Sequence, residues 1–555
     1  MLMKKLFTFV AMAVLAMSTM MANWQPSDTE ATRLDAEGTS GQTLMKTLRT
    51  DDGKIILSWL RGAREDGIFS YALHFQVFDA NGNAQFGDEG IIVAKKPTAT
   101  WTSDYGLALA PNGDILFLYS DMRNDPENNE FGDAYFYRYT QQGQPVWDAE
   151  GIVFPARLIG EHPLSIETLS PKLCVSGDNI YAAVMHSEYF NEKATEDNWS
   201  PSPWFPNQPM PDSVLVNKGE WQIVRINDDG TFPEQDVMAI DASILTMDAA
   251  PNGNMYIVYN NADGGLDGQM LNAEVQNSWD NIVTLEERPL GRGVFFPTPL
   301  TAVNEDEYLM LSYEVPTDFY GYQVVNYLSP DGISAREAVS LNGSIDGDAG
   351  SAAMGVKENR AFVAWECAYS SSEYQMMVNV IDDDDNYFWN GDNMYGTSLE
   401  QTDSWGFTPV KVIPVNDGWV VLYGTSTSWN GANFMVVKVD ELGVEMWRKQ
   451  ICEDNFKSNG FSVTYDENNA YIFYTQEAEY DDNWNEIPGS AGMFVMCVDI
   501  SGKTTAINEV ESTQDIVKTE IYTIDGRRVD QMQPGVNIIR NTDANGVVTT
   551  SKVMK

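Results

Sequence analysis

Side chains that trade protons, attack an electrophile or hold a metal are unevenly supplied in this chain. It has only three histidines: His74 in an expected strand, His162 in a loop and His186 just past a strand. None belongs to an H-E-x-x-H, and no G-x-S-x-G elbow, Walker loop or Ser/His/Asp order is present. The 81 acidic residues guarantee many chance carboxylate pairs, so spacing alone selects no acid–base couple. Asp79-x-Asn81-x-Asn83 and Asp346-x-Asp348 alternate oxygen donors as calcium loops do, but neither continues to a bidentate glutamate. Both read first as polar hairpin tips. The run 382–385 reads as a solvated turn whose repulsion counter-ions relieve. No cofactor is identified, calcium is the ion these loops would suit, and no metal ligand is assigned.

Aromatic residues are the stronger signal. Trp101 and Tyr105, Trp199 and Trp204, Phe319 and Tyr320, Trp405, Trp429 and Trp484 fall in the longer segments between apolar runs, beside Asp and Asn. Rings with polar neighbours suit stacking on sugars or gripping a peptide. Five prolines between 201 and 211 stiffen the longest such segment and lower the entropy lost on binding. The same rings would equally well roof the loops themselves.

The elements that must carry these residues show in a repeat. A turn followed by a short apolar, β-rich run recurs at 51–59, 111–120, 176–185, 251–260, 304–313, 357–365, 416–424 and 466–475. A second turn follows in most periods, as in VFDANGNAQF (77–86), RYTQQGQPVW (138–147) and KVDELGVEMW (438–447). Glycine in these turns supplies the positive φ of two-residue hairpins, and Phe86, Trp147 and Trp447, four residues later, are placed to pack between adjacent sheets. Each period therefore reads as one four-stranded antiparallel blade. The fold class is all-β, a β-propeller of about eight such blades with seven as the alternative count, plus a small C-terminal β segment. In such a blade the first and third connections lie on one face of the disc, and the second and inter-blade connections on the other, so the aromatic-rich loops share a face.

The turn resembles the D-x-x-G-x-x-x-W repeat of quinoprotein-like bacterial propellers, without identifiable quinone-binding residues. Sialidase-type boxes lack their leading serine here, and arginine is scarce.

Residues 1–22 have the parts of a secretory signal: Lys4 and Lys5, an apolar run from Leu6 to Met17, and a small-residue site ending at Ala22. The domains expected are thus 1–22 signal peptide, 23–508 propeller and 509–555 tail. The formal charge of −47 repels phosphate backbones and anionic lipid, which disfavours nucleic acid as a partner. No other segment is apolar enough for membrane insertion as a helix. Four scattered cysteines make no zinc or redox motif, and Cys452 and Cys497 are the pair that one disulfide would join.

The tail carries a resemblance of its own. Residues 521–529 (IYTIDGRRV), 534–539 (PGVNII) and the closing 551–555 (SKVMK) are similar in order and type to the C-terminal sorting module of proteins exported by the type IX system of Bacteroidetes. The resemblance implies the secretion machinery as a partner and passage across the outer membrane. The protein is expected in the periplasm, on the outer-membrane surface or outside the cell. Together these features point to a secreted or surface-displayed, non-catalytic propeller that recognises a glycan or protein through its long-loop face. The rival is a glycosidase or lyase with acids near the channel, and the third reading is a structural surface component.

Overall fold

The structure, a computed structural model, describes residues 24, 27, 31–35, 42–65, 68–98, 104–123, 132–200, 208–233, 237–279, 281–287, 301–302, 309–316, 321–328, 339–341, 348–358, 360–370, 373–382, 396–402, 406–426, 432–451, 456–476, 487, 491–501, 516–523, 527–529, 531, 536–543 and 548–554. It forms two compact units, Met1–Ser501 and Gly502–Lys555. The larger unit is a β-propeller of eight four-stranded antiparallel blades. Each sequence repeat becomes the second strand of a blade. Ile115–Asp121 is buried at every position, because each blade is sandwiched between two others and both its faces are interior.

The inner strands, in blade order, are Gln42–Arg49, Tyr105–Leu109, Ser165–Ser176, Ser243–Ala249, Thr301–Ala302, Asp348–Lys357, Phe407–Val415 and Phe456–Tyr465. Side chains cross the seams between them. Ser58 meets Tyr105 at 2.9 Å between blades one and two, and the Ser120 hydroxyl donates to Thr168 O at 2.6 Å between two and three. Ser176 donates to Ala250 O at 2.9 Å, and Asn379 to Leu341 O at 2.9 Å, at later seams. One hydrophobic cluster joins Leu422 of blade seven, Ile472 of blade eight and Leu57 of blade one, which closes the ring.

Closure is completed by the N-terminal segment. Thr32–Arg33 supplies the outermost strand of the last blade, pairing Thr32 with Val495 and Arg33 with Phe494. Ahead of it, Trp24 packs 4.9 Å from the Phe78 ring of blade one, and 5.7 and 5.6 Å from Tyr471 and Phe473 of blade eight.

The turns correct one expectation. Gly82, Gly143, Gly230 and Gly443 do have positive φ, but the residues before them do not. These hairpins are therefore type I turns followed by a left-handed glycine, not two-residue primed turns. The leading residue caps each loop: Asp79 accepts the N–H groups of Asn81 and Asn83, and Asp440 those of Leu442 and Val444, all at 2.9 Å. The glycine also lies against the preceding blade. A Cβ on Gly230 would come within 2.7 Å of Ile152 and 3.1 Å of Trp147. Trp147 in turn donates to Asp228 O at 3.0 Å, so the ring packs between adjacent sheets as expected.

Cys174, Cys367 and Cys497 are buried, and Cys497 is free, which corrects the expected Cys452–Cys497 disulfide. Cys497 sits on a central strand where burial pushes its thiol up to about 12, and Cys452 lies outside the described residues. Among the described residues no helix is long and apolar enough to cross a membrane.

The smaller unit is a single four-stranded antiparallel sheet. Its order is Arg528–Val529, Ile516–Thr523, Val536–Asp543, Val548–Met554. The boundary expected at 508 falls within 502–515, outside the described residues.

Candidate functional site

The propeller presents two unlike faces. One holds the tight first and third turns, and these are interlocked. Arg138 is 2% exposed and donates to Asp114 at 2.9 Å and to Asp228 of the next blade at 2.7 Å. Lys54 of blade one donates to Gln141 of blade two at 2.8 Å, and Arg360 of blade six to Glu441 of blade seven at 2.6 Å.

The opposite face receives the second connection of each blade. These are longest in blades two, three and eight, at 122–132, 194–212 and 477–491, and short in blades one, four and six, at 66–67, 261–265 and 371–372.

Of the aromatic candidates, two are described. Trp199 lies half-buried in the second connection of blade three, in a turn closed by its own N–H to Thr195 O at 3.1 Å. Tyr105 departs from the expectation: it is fully buried, and its hydroxyl donates to Leu44 O at 2.8 Å. It opens an inner strand, and the seam to blade one closes over its ring. Trp101, Trp204, Phe319, Tyr320, Trp405, Trp429 and Trp484 lie outside the described residues.

The histidines are structural where they are buried. His74 stacks on Trp59 with centroids 5.5 Å apart, and burial lowers its pKa. His186 is fully buried, its Nε2 3.0 Å from Glu188. Burial opposes ionisation of Glu188, but the bonds from His186 and from the Ile159 and Gly160 N–H groups outweigh it and hold the carboxyl below its ordinary range. That carboxylate pins the blade-two-to-three connection onto the blade. Asp79 is likewise spent on its own turn, its second oxygen accepting the Asn83 side chain at 2.8 Å. Among the described residues no group of three or more His, Cys, Asp or Glu could hold a metal ion.

Composition and spacing did not point to the inner ring. Six inner strands slip register against their neighbour, and in three of them a lysine follows the slip: Lys46, Lys172 and Lys411. Lys46 bonds Asp104 at 2.7 Å and Tyr105 O at 2.5 Å on the next blade, and Lys172 reaches Leu245 O at 3.5 Å. Burial lowers the pKa of both Lys172 and Lys411. Lone lysines ahead of apolar runs, in a chain with only 34 Lys and Arg, were the available signal.

Two carboxyl groups near the ring are shifted the other way. Glu167, on the inner strand of blade three, is 8% exposed and is raised by burial, partly offset by the Tyr189 hydroxyl at 2.5 Å. Glu366, on the second strand of blade six, is raised by burial and accepts the Phe407 N–H at 2.5 Å. In both, burial disfavours the charged form.

No family model matches this chain, and no curated protein matches it. Among solved structures it is similar to the polysaccharide lyase Uly1, with 8% identity, a TM-score of 0.40 and coverage of 84% of this chain and 100% of that one. It is similar to the β-propeller domain of the Trilobed protease from Pyrococcus furiosus, with 7% identity, a TM-score of 0.36 and coverage of 75% and 98%. A third similarity is to the phage phi92 endosialidase, with 9% identity, a TM-score of 0.36 and coverage of 95% and 79%.

Proposed function

We propose that this protein is a secreted or cell-surface binding propeller that recognises a glycan or another protein through its loop face, without catalysis. The asymmetry of the disc carries the reading. One face is tied down by capped turns and ion pairs, while the second connections, which lead to the other, are long in blades two, three and eight, at 122–132, 194–212 and 477–491. Variable loops on a rigid scaffold are where recognition concentrates. The tail's resemblance to a sorting module supports export and makes the secretion machinery its partner.

A polysaccharide-degrading activity is the second reading, favoured by the burial-raised carboxyls Glu167 and Glu366. A glycan- and protein-array screen of the mature chain, with calcium and with chelator, tests both. A specific ligand weakened by Trp199→Ala and recovered intact supports binding; a shortened or unsaturated product moves the assignment to catalysis. No ligand under either condition overturns the loop-face reading.

A further inference from the structure

In blade three the third strand outruns its outer neighbour. The second and third strands, Asn179–Lys193 and Ser213–Ile226, pair from Ile180 opposite Ile226 to Lys193 opposite Ser213, with no slip of register. The outer strand, Met238–Ile240, covers only Trp221, Gln222 and Ile223. Residues 213–220, next to the 194–212 connection, are therefore paired on one side alone. In blade seven, by contrast, the outer strand pairs with the third from Val439 to Phe434.

Hydrogen-bond parity identifies the groups left over. The Ala194 N–H donates to Asp212 O at 3.3 Å, so Asp212 and every second residue after it bond toward the second strand. The alternate residues bond outward, and Trp221 and Ile223 of that set are where the outer strand pairs. Ser213, Leu215, Asn217 and Gly219 belong to the same set. Among the described residues, nothing pairs with their outward N–H and C=O groups.

The features that commonly blunt an open edge are missing from this one. The run 213–220 has no proline and no bulge. Its one lysine, Lys218, is drawn across its own hairpin, 2.9 Å from Glu192 and 4.8 Å over the Phe190 ring. Leu215 is 63% exposed on one face of the strand, and half-buried Val214 and Val216 lie on the other. The surrounding charge is acidic: between 191 and 220, Glu192, Glu196, Asp197, Asp212 and Glu220 are offset only by Lys193 and Lys218.

We infer that 213–219 is a strand-addition site for an extended protein segment, apolar at alternate positions and basic between them. The inference rests on the loop-face reading and narrows its ligand to a protein chain. Main-chain bonds to the outward-facing residues supply affinity, Leu215, Val214 and Val216 offer side-chain contacts, and the nearby carboxylates select positive charge. A second copy suits the edge less well, because two chains of formal charge −47 repel each other.

The test uses the mature chain and a labelled probe peptide of about nine residues, valine alternating with lysine and threonine. Its controls carry glutamate for lysine or a central proline. Fluorescence anisotropy reads binding, and amide hydrogen exchange over 213–219 locates it. Leu215→Pro and Asn217→Pro each remove an outward donor and leave the bonds to the second strand in place. Leu215→Lys keeps the donor, adds a repelling charge, and serves if the proline variants do not fold. The basic peptide should bind about tenfold tighter than either control, slow exchange over 213–219, and lose about tenfold in affinity to either proline variant. A basic peptide that binds no better than the acidic one, or that folded edge variants bind unchanged, overturns the site. So does wild-type dimerisation in sedimentation that Leu215→Pro abolishes, which gives the edge to a second copy. An array ligand lost to Trp199→Ala but indifferent to Leu215→Pro overturns the edge and leaves the loop-face reading standing. A chain that binds no peptide, protein or glycan overturns both.

Discussion

Thr47 and Ser462 meet hydroxyl to hydroxyl at 2.8 Å although 415 positions separate them in sequence. The contact places the inner strand of the first blade against that of the last, so it exists only when the ring is closed. Short-range pairing builds the first seven blades from consecutive strands, but this seam needs both ends of the domain together. The N-terminal segment secures it twice, by strand pairing at Thr32–Arg33 and by Trp24 in the cluster of Phe78, Tyr471 and Phe473.

Replacing Trp24 by alanine is expected to lower stability by about 2–3 kcal/mol, less than a fully buried tryptophan because the ring is half-buried. Urea unfolding of the mature chain measures it. Leu442→Ala, at a side chain 68% exposed on a turn, should change stability by no more than about 0.5 kcal/mol. Equal effects from the two substitutions would deny Trp24 its closing role.

The turn glycines allow backbone strain to be separated from packing. Gly87 has φ +69° and nothing within 4 Å of a built Cβ, whereas Gly230 has φ +84° and Ile152 at 2.7 Å. Gly87→Ala should cost about 1–2 kcal/mol from the left-handed backbone alone. Gly230→Ala should cost a further 1 kcal/mol or about that for overpacking the seam. Denaturant midpoints compare them directly, and identical losses would remove the seam contribution.

The blades were legible because their causes are local and repeated. Asp79 and Gly82 act within one hairpin, Phe86 follows at a fixed spacing, and the same spacing recurs at Asp440, Gly443 and Trp447. The turn type was misread because glycine needs positive φ in both hairpin geometries, and only the backbone of the residue before it separates them. Tyr105 was misplaced for a different reason. Its neighbours in sequence are polar, but its ring is covered by blade one, whose Ser58 and Leu44 lie far off in the chain.

Arg138 spans a seam on the turn face with both carboxylate partners retained when it is truncated. Arg138→Ala is expected to destabilise the propeller by about 2–3 kcal/mol, at the low end for a broken buried pair because Asp228 is 79% exposed and keeps its hydration. Arg138→Lys should recover only part, since an ammonium cannot reproduce the guanidinium fork between Asp114 and Asp228. Chemical denaturation reads both variants; full recovery by lysine would reduce the role to charge alone.

Glu167 and Glu188 lie on adjacent strands of blade three and should respond to acid in opposite senses. Glu188 is held below its ordinary range, because the His186 bond and two backbone N–H groups overcome the cost of burial. Its stabilisation is therefore present above the unfolded carboxyl pKa of about 4.3 and is lost as pH falls through the lower folded value. Glu167 is raised by burial, so folded protein binds its proton more readily than unfolded protein does. Its carboxylate costs stability above the folded value, and acid relieves that cost. Glu188→Gln should destabilise at pH 7 by about 3 kcal/mol, with the loss shrinking toward pH 4 and below. Glu167→Gln keeps an acceptor for the Tyr189 hydroxyl and should instead stabilise by up to about 1 kcal/mol at pH 7, with no gain in acid. Unfolding curves for both variants across pH 3–8 decide it. Parallel pH profiles would show that burial at Glu167 and hydrogen bonding at Glu188 do not shift the two carboxyls in opposite directions.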